Sequence, residues 1–254
     1  MNKYPYIKYL IFDLDDTLLR KDRTLSTYTI ETLSKAKKQG FKIVFNTSRS
    51  VQHSQKYADM IHPDYGIYSG GCHIVDKDNN DLFVNTIASK DVKVITKYLF
   101  DKFPKISVQS KDTFYASDKD YKAQNAQWVD FTNGLEVDAF KILCFSYDMN
   151  FVQSIADKYN LEFQNYVGGG WNRLSIKGAT KWNGVLKLME ILHEDPKSTA
   201  CFGDDVGDLE MIEKSGLGVA MKNSRPEVLK KAKNITLSSN EDGCAHFIEE
   251  YLLD

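Results

Sequence analysis

The sequence predicts a doubly wound, mainly parallel α/β core that is interrupted by an inserted α+β domain. Short apolar strands alternate with helical segments at both ends of the chain, and this alternation indicates parallel strands joined by right-handed crossovers. Between about 82 and 172 the chain is more polar, and patterns of helices and antiparallel strands are mixed there. We therefore predict a core at 1–81 plus 173–254 and an insertion at 82–172.

The N-terminal part of the core begins with an apolar strand at 7–12, "IKYLIF". Ser26 is a suitable N-cap for a helix that runs to about Gln39, and Gly40 is suited to end that helix. The elements that follow alternate in the same way: strand 41–45, helix 51–61, and a strand with its turn at 65–71.

The insertion mixes both kinds of element: helix 89–102, strands near 105–116, helix 119–130, strand 138–146, helix 150–159 and strand 161–166. The glycines of "VGGGW" (167–171) indicate a hinge or turn before the core resumes. The rest of the core alternates again: helix 179–192, strand 198–202, helix 205–214, strand 217–221, a helix with a capping box at Ser224–Glu227, strand 234–237 and a closing helix from about Asp242.

Composition excludes several classes of protein. The 254 residues carry a net charge of -2 with a pI near 6.2, which provides no basic surface for nucleic acid. No apolar run approaches the roughly 20 residues that cross a bilayer. The four cysteines are scattered without metal-ligand spacing, as is typical of reduced thiols. We expect a cytoplasmic monomer or small homo-oligomer with no nucleic-acid or membrane partner.

Acidic residues follow two of the predicted strands. Asp13 and Asp15 come directly after the first strand, and their spacing places both side chains on one side of an extended segment. Asp204 follows strand 198–202, and Asp208 lies one helical turn further on. In doubly wound sheets the carboxyl ends of the strands form the ligand site. Converging carboxylates there are suited to a hard cation such as Mg²⁺.

Hydrogen-bond donors are predicted at the same edge of the sheet. Thr47 and the amide of Ser48 follow the second strand, and Lys181 begins the helix after the insertion. Such donors bind anions beside a cation. A metal site next to an anion site indicates that the protein handles a phosphoryl group.

These motifs resemble the haloacid dehalogenase (HAD) superfamily, in its Cof-like phosphatase branch with a type IIB (C2) cap. The resemblance rests on "DLDDT" (13–17), "VFNTSRS" (44–50), "LSIKGATK" (174–181) and "FGDDVGD" (202–208), which occur in the family's order. It extends over essentially the whole chain. It implies a Rossmann-like catalytic core and a cap domain formed by the insertion.

The resemblance also implies residue roles. Asp13 would be the nucleophile that forms an aspartyl phosphate, and Asp15 would protonate the leaving oxygen and later activate water. Mg²⁺ would be held by Asp13, the backbone carbonyl of Asp15 and Asp204, with Asp208 as a further or supporting ligand. Thr47 and Lys181 would hold the phosphoryl oxygens.

The implied activity is Mg²⁺-dependent hydrolysis of a small phosphorylated metabolite, such as a sugar phosphate or a cofactor phosphate. Two alternatives stay open: a phosphomutase, and a non-enzymatic phosphoacceptor or sensor. The sequence departs from the branch at four positions, where Gly70 and Gly207 replace the usual asparagine and where Ser48 and Trp182 replace the usual glycine.

Overall fold

The computed structural model describes residues 2–120, 125–165 and 170–254. The chain divides into two compact units. The first, here called the core unit, comprises Met1–Phe83 and Thr180–Asp254, and the second, the inserted unit, comprises Val84–Ala179. The inserted unit extends past the predicted boundary at 172, because the strand Trp171–Ile176 pairs within its sheet.

An eight-stranded sheet forms the centre of the core unit. With strands numbered along the whole chain, it contains β1 (Tyr9–Phe12), β2 (Lys42–Asn46), β3 (Tyr65–Tyr68), β4 (His73–Asp76), β5 (Asp81–Val84), β12 (Thr199–Gly203), β13 (Leu217–Ala220) and β14 (Asn234–Ile235). The spatial order is β14-β13-β12-β1-β2-β3-β4-β5. Neighbours from β14 to β3 are parallel, and β4 is antiparallel to β3.

Helices cover both faces of this sheet: α1 (Thr27–Lys38), α2 (Val51–Ile61), α5 (Lys181–Leu192), α6 (Leu209–Lys214), α7 (Pro226–Lys231) and α8 (Gly243–Tyr251). Leu10 and Phe12 of β1 belong to the buried cluster formed with α1, α2 and α8. Tyr9 and Ile11 belong to the cluster formed with α5 and α6. A strand buried on both faces needs a continuous apolar run, which explains the "YLIF" segment.

The inserted unit is an α+β layer structure. Its strands are β6 (Ile106–Gln109), β7 (Phe114–Ala116), β8 (Gln127–Trp128), β9 (Lys141–Phe145), β10 (Leu161–Asn165) and β11 (Trp171–Ile176), in the order β10-β11-β9-β6-β7-β8. The helices α3 (Ser89–Lys102) and α4 (Met149–Lys158) pack on the sheet through an apolar cluster that includes Leu99, Val152, Ile142 and Leu174. The predicted α/β core with an inserted α+β domain is confirmed.

Two predicted helical features are wrong. The helix at 119–130 is absent from the described residues 125–130, where β8 pairs in parallel with β7 and the Trp128 indole donates to the Ser117 carbonyl at 3.2 Å. Residues 121–124 of that prediction lie outside the described part of the chain. The capping box at Ser224 does not form, because α7 begins after Arg225 with Pro226 at its first position.

The glycine-rich stretch at 167–171 lies partly outside the described residues, and Trp171 already begins β11. Ser26 caps α1 as predicted, since its hydroxyl accepts from the amide of Thr29. Within the described residues, no helix has the length and apolar composition to cross a membrane. The four cysteines are buried, and within the described residues they form no disulfide bond.

Candidate active site

The site lies where the central parallel strands of the core unit end. Asp13 directly follows β1, and its amide donates to the carbonyl of Phe202 in β12 at 3.0 Å. In register, Phe12 of β1 lies opposite Phe202 of β12 and Phe45 of β2. The loops after β1, β2 and β12 therefore leave the sheet at the same edge.

The carboxylates of Asp13, Asp204 and Asp208 converge at this edge, with one oxygen of each within 4.8 Å of the others. Asp13 and Asp208 are buried, and Asp204 is half-buried. Gly203 permits this approach, because a Cβ at that position would lie 2.3 Å from the Cβ of Asp208. The hydroxyl of Thr17 donates to Oδ1 of Asp204 at 2.6 Å and holds that side chain in place.

Lys181 supplies the positive charge within this group. It begins α5, whose N-cap is Thr180, and its side chain is only 10% exposed. Its Nζ lies 2.7 Å from Oδ1 of Asp13 and 2.5 Å from Oδ1 of Asp208. Burial lowers the pKa of Lys181, but the charges of the two carboxylates outweigh that effect and raise it above its usual value. The lysine is therefore held as a cation.

One lysine does not neutralise three carboxylates. Burial raises the pKa of Asp13 well above its ordinary value of 3.8, although Lys181 opposes the shift, and Asp208 adds to it. Burial also raises the pKa of Asp204 to about 6, with the hydrogen bond from Thr17 acting against it. A divalent cation would remove both penalties by neutralising the ionised cluster, and hard cations prefer such oxygen ligands. The donor set therefore fits a divalent metal ion.

Asp208 already accepts hydrogen bonds at both of its oxygens. Oδ2 accepts from the amides of Asp204 and Asp205 at 3.0 and 3.1 Å, and Oδ1 accepts from Lys181. Asp205 caps the short 3₁₀ turn at Val206–Asp208. Asp208 thus orders the loop and orients Lys181, which leaves the oxygens of Asp13 and Asp204 as the more available metal ligands.

Asp15 is not part of the carboxylate cluster. Its carboxylate is bound by Arg49, through Nε at 2.8 Å and Nη2 at 2.5 Å, and by Arg23. Burial raises the pKa of Asp15, but the hydrogen bonds and charge of Arg49, together with the charge of Arg23, lower it overall. The two arginines occupy the side chain of Asp15, so only its backbone carbonyl stays a predicted metal ligand.

Thr47 and Ser48 follow β2, the neighbour of β1 in the sheet. Thr47 is buried, its amide donates to the carbonyl of Ile67 at 2.9 Å, and its hydroxyl accepts from the amide of Arg49 at 3.2 Å. Ser48 is exposed. Strand adjacency brings both residues to the edge that carries Asp13, and their contact with a phosphoryl group stays a prediction.

Three of the departures from the family pattern have a structural setting. Gly70 has a φ of 71°, a left-handed conformation that glycine and asparagine both adopt readily. Trp182 is buried and packs in the cluster between the sheet and α5. Gly207 has open space around it, since a Cβ there would have no atom within 4 Å.

The sequence did not point to Arg23. It lies in the turn after β1 with a φ of 65°, and only the folded loop brings its guanidinium to Asp15. Thr17 lies within the motif "DLDDT", but the motif by itself does not indicate the hydrogen bond from Thr17 to Asp204.

The fold and the site together define a doubly wound α/β protein with a carboxylate–lysine centre and an inserted α+β domain. A sequence profile of haloacid dehalogenase-like hydrolases matches residues 10–248. The chain belongs to this family.

Similar proteins span the whole chain. The 5-amino-6-(5-phospho-D-ribitylamino)uracil phosphatase YitU of Bacillus subtilis is 26% identical over 270 residues, which cover 99% of each chain. YwtE of the same organism, named for the same activity, is 24% identical over 284 residues, which cover 97% of this chain and 98% of YwtE. The crystal structure of TM0651 from Thermotoga maritima superposes with a TM-score of 0.84 at 18% identity, covering 98% of both chains.

Proposed function

We propose that the protein is a Mg²⁺-dependent phosphatase that hydrolyses a small phosphorylated metabolite through an aspartyl-phosphate intermediate. The observation that carries this proposal is the buried group of Asp13, Lys181 and Asp208 with Asp204 beside it. Bringing these carboxylates together costs free energy unless a cation and a bound anion use them. Membership of a hydrolase family and relatives named as phosphatases support the same reading.

In the proposed reaction, Oδ of Asp13 attacks the phosphorus and the bond from phosphorus to the leaving oxygen breaks. Asp15 must carry a proton at this step, although Arg49 and Arg23 favour its ionised form, and it gives that proton to the leaving oxygen. An alcohol then departs and Asp13 carries the phosphoryl group. Asp15 then takes a proton from water, whose oxygen attacks the same phosphorus. Inorganic phosphate leaves and the carboxylate of Asp13 is restored.

The remaining residues stabilise charge during these steps. Mg²⁺, when bound by Asp13, Asp204 and the backbone carbonyl of Asp15, would neutralise negative charge on the phosphoryl group. Lys181 holds the carboxylate of Asp13 at 2.7 Å and lies where it can also bind a phosphoryl oxygen. Thr47 and Ser48 donate to the other oxygens. Asp208 keeps Lys181 in place.

The names of the relatives suggest a substrate class. YitU and YwtE are named for a phosphate ester on a ribityl chain. We therefore place the substrate among phosphate monoesters of small polyhydroxylated metabolites, which include sugar phosphates and phosphorylated cofactor precursors. As the predicted cap domain, the inserted unit would select among these substrates.

A metal-replacement experiment tests the proposal. After treatment with a chelator, the protein should release no phosphate from 4-nitrophenyl phosphate, and added Mg²⁺ should restore the activity. Ca²⁺ should support little activity, since it favours larger and looser coordination shells. Full activity after exhaustive metal removal would refute the proposal. With phosphorylated metabolites, accumulation of inorganic phosphate separates a phosphatase from a phosphomutase.

A further inference from the structure

Two arginines from different loops hold the carboxylate of Asp15. Arg49, in the loop before α2, donates from Nε to Oδ2 and from Nη2 to Oδ1. Arg23, in the loop after β1, donates from Nη1 to the same Oδ1. Oδ1 therefore accepts two guanidinium hydrogen bonds, whereas Oδ2 accepts one.

This difference makes the two oxygens chemically distinct. A carboxylate oxygen has about two lone-pair sites. The two arginines use both sites on Oδ1 of Asp15, while the described residues use only one site on Oδ2. Oδ2 is consequently the atom at which Asp15 can receive a proton from water or give one to a leaving oxygen.

The side chain of Arg49 is held in place by contacts with α2. Its Nη1 donates to the carbonyl of His53 at 3.1 Å, and its guanidinium lies 5.4 Å from the centre of the Tyr57 ring. An arginine alone binds a carboxylate edge-on through two parallel hydrogen bonds. Such a contact fixes the two oxygens relative to Arg49, but by itself it does not set the rotation of the carboxylate about the line that joins them.

The hydrogen bond from Arg23 to Oδ1 of Asp15 restricts this rotation. Its side chain is 43% exposed, but its backbone is tied down, because the buried Tyr57 hydroxyl donates to the Arg23 carbonyl at 3.1 Å. The Arg23 amide also donates to the carbonyl of Arg20 at 2.8 Å, which closes the turn. Tyr57 thus contacts both arginines and couples their positions.

We propose that Arg23 is a positioning residue for the acid–base step, because it occupies the second site of Oδ1 and so directs Oδ2 of Asp15 to the reacting oxygen. The inference rests on the proposed function. Proton transfer requires the acid within hydrogen-bond reach of the oxygen, and small errors of placement reduce the rate. The loss should fall on substrates whose leaving group needs a proton.

A comparison of two aryl phosphates tests this role without knowledge of the natural substrate. 4-Nitrophenyl phosphate carries a good leaving group and needs little protonation, whereas phenyl phosphate carries a poorer one. Arg23→Gln should lower kcat for phenyl phosphate by about tenfold and kcat for 4-nitrophenyl phosphate by less than about threefold, with KM little changed. Arg23→Lys should recover part of the loss, because it restores a charged donor.

Two further variants sharpen the comparison. Tyr57→Phe removes the hydroxyl that donates to the Arg23 carbonyl and also interacts with Arg49, so the ratio of the two rates should shift in the same direction by a smaller factor. Lys21→Gln removes a positive charge from the same loop at an exposed position and should leave both rates unchanged.

The outcomes are distinguishable. If Arg23→Gln lowers both rates equally, or raises KM for both esters at constant kcat, Arg23 supports the loop or binds phosphate, and the positioning role is refuted. If both rates stay at the wild-type level, the role is refuted as well. If the wild-type protein hydrolyses neither ester with Mg²⁺, the proposed function itself fails.

Discussion

Replacement of Asp204 by asparagine should make the metal-free protein more stable at neutral and alkaline pH. Asp204 lies beside Asp13 and Asp208, and burial raises its pKa from 3.8 to about 6, although the charge of Lys181 acts against this shift. Ionising this carboxylate in the folded protein therefore costs free energy that asparagine does not incur. The side-chain oxygen of asparagine can still accept the hydrogen bond that Thr17 donates at 2.6 Å.

The gain in the free energy of unfolding follows from the shift in the pKa of Asp204. A displacement of about two pKa units corresponds to at most about 3 kcal/mol, and partial exposure of Asp204 reduces this to about 1–2 kcal/mol. Because the pKa of Asp204 is higher in the folded than in the unfolded chain, its protonation stabilises the fold. That stabilisation is complete below about pH 3.8 and is lost as the pH rises through about 6. The gain from asparagine should therefore be largest at pH 8 and vanish near pH 3.5.

Urea unfolding with a chelator at both pH values measures this difference. Asp205→Asn is a matched control, because Asp205 is exposed and asparagine caps a turn as well as aspartate does. Added Mg²⁺ should stabilise the wild-type protein more than Asp204→Asn, since ligand binding to the folded state raises its stability. A gain that does not depend on pH, or no gain at pH 8, would refute the reasoning about the buried carboxylates.

Two other predictions concern the loop and the insertion. Gly207→Asn should fit without a clash and should lower the Mg²⁺ concentration that gives half-maximal activity by several-fold. Gly207→Ala should gain only about 0.4–1 kcal/mol of stability, because it makes the unfolded chain less flexible. Equal metal dependence in both variants would contradict this prediction. Replacing Val84–Ala179 by a short linker should leave a folded core unit that still cleaves 4-nitrophenyl phosphate but discriminates less among phosphorylated metabolites. Unchanged selectivity in the soluble variant would contradict the role of the inserted unit.

The parts of the site that follow strand ends could be predicted from the sequence. Asp13 and Asp204 come after apolar strands that are buried on both faces, and parallel pairing brings such ends together. Arg23 could not be predicted in this way, because its position depends on a left-handed residue in a turn and on a hydrogen bond from Tyr57 in α2.

Contacts between residues that are distant in the sequence also explain the wrong predictions in the inserted unit. The segment around Trp128 has helix-compatible residues, but two contacts favour a short strand. Trp128 of β8 pairs with Ala116 of β7, and the Lys119 ammonium lies 4.6 Å from the centre of the Trp128 ring. The strand that begins at Trp171 was missed because glycines precede it, although it pairs with both β9 and β10. Non-local pairing leaves little trace in a local pattern.

The covalent role of Asp13 is tested most directly by trapping the phosphorylated protein. In Asp15→Asn the aryl ester should still phosphorylate Asp13, while water attack on the aspartyl phosphate lacks its base. Rapid mixing with 4-nitrophenyl phosphate and Mg²⁺ should give a burst of nitrophenol near one equivalent per site, then a slow phase, with a phosphoryl group on the peptide that contains Asp13. Asp13→Asn should show neither. A wild-type rate with phenyl phosphate in Asp15→Asn, or turnover by Asp13→Asn, would contradict the aspartyl-phosphate mechanism.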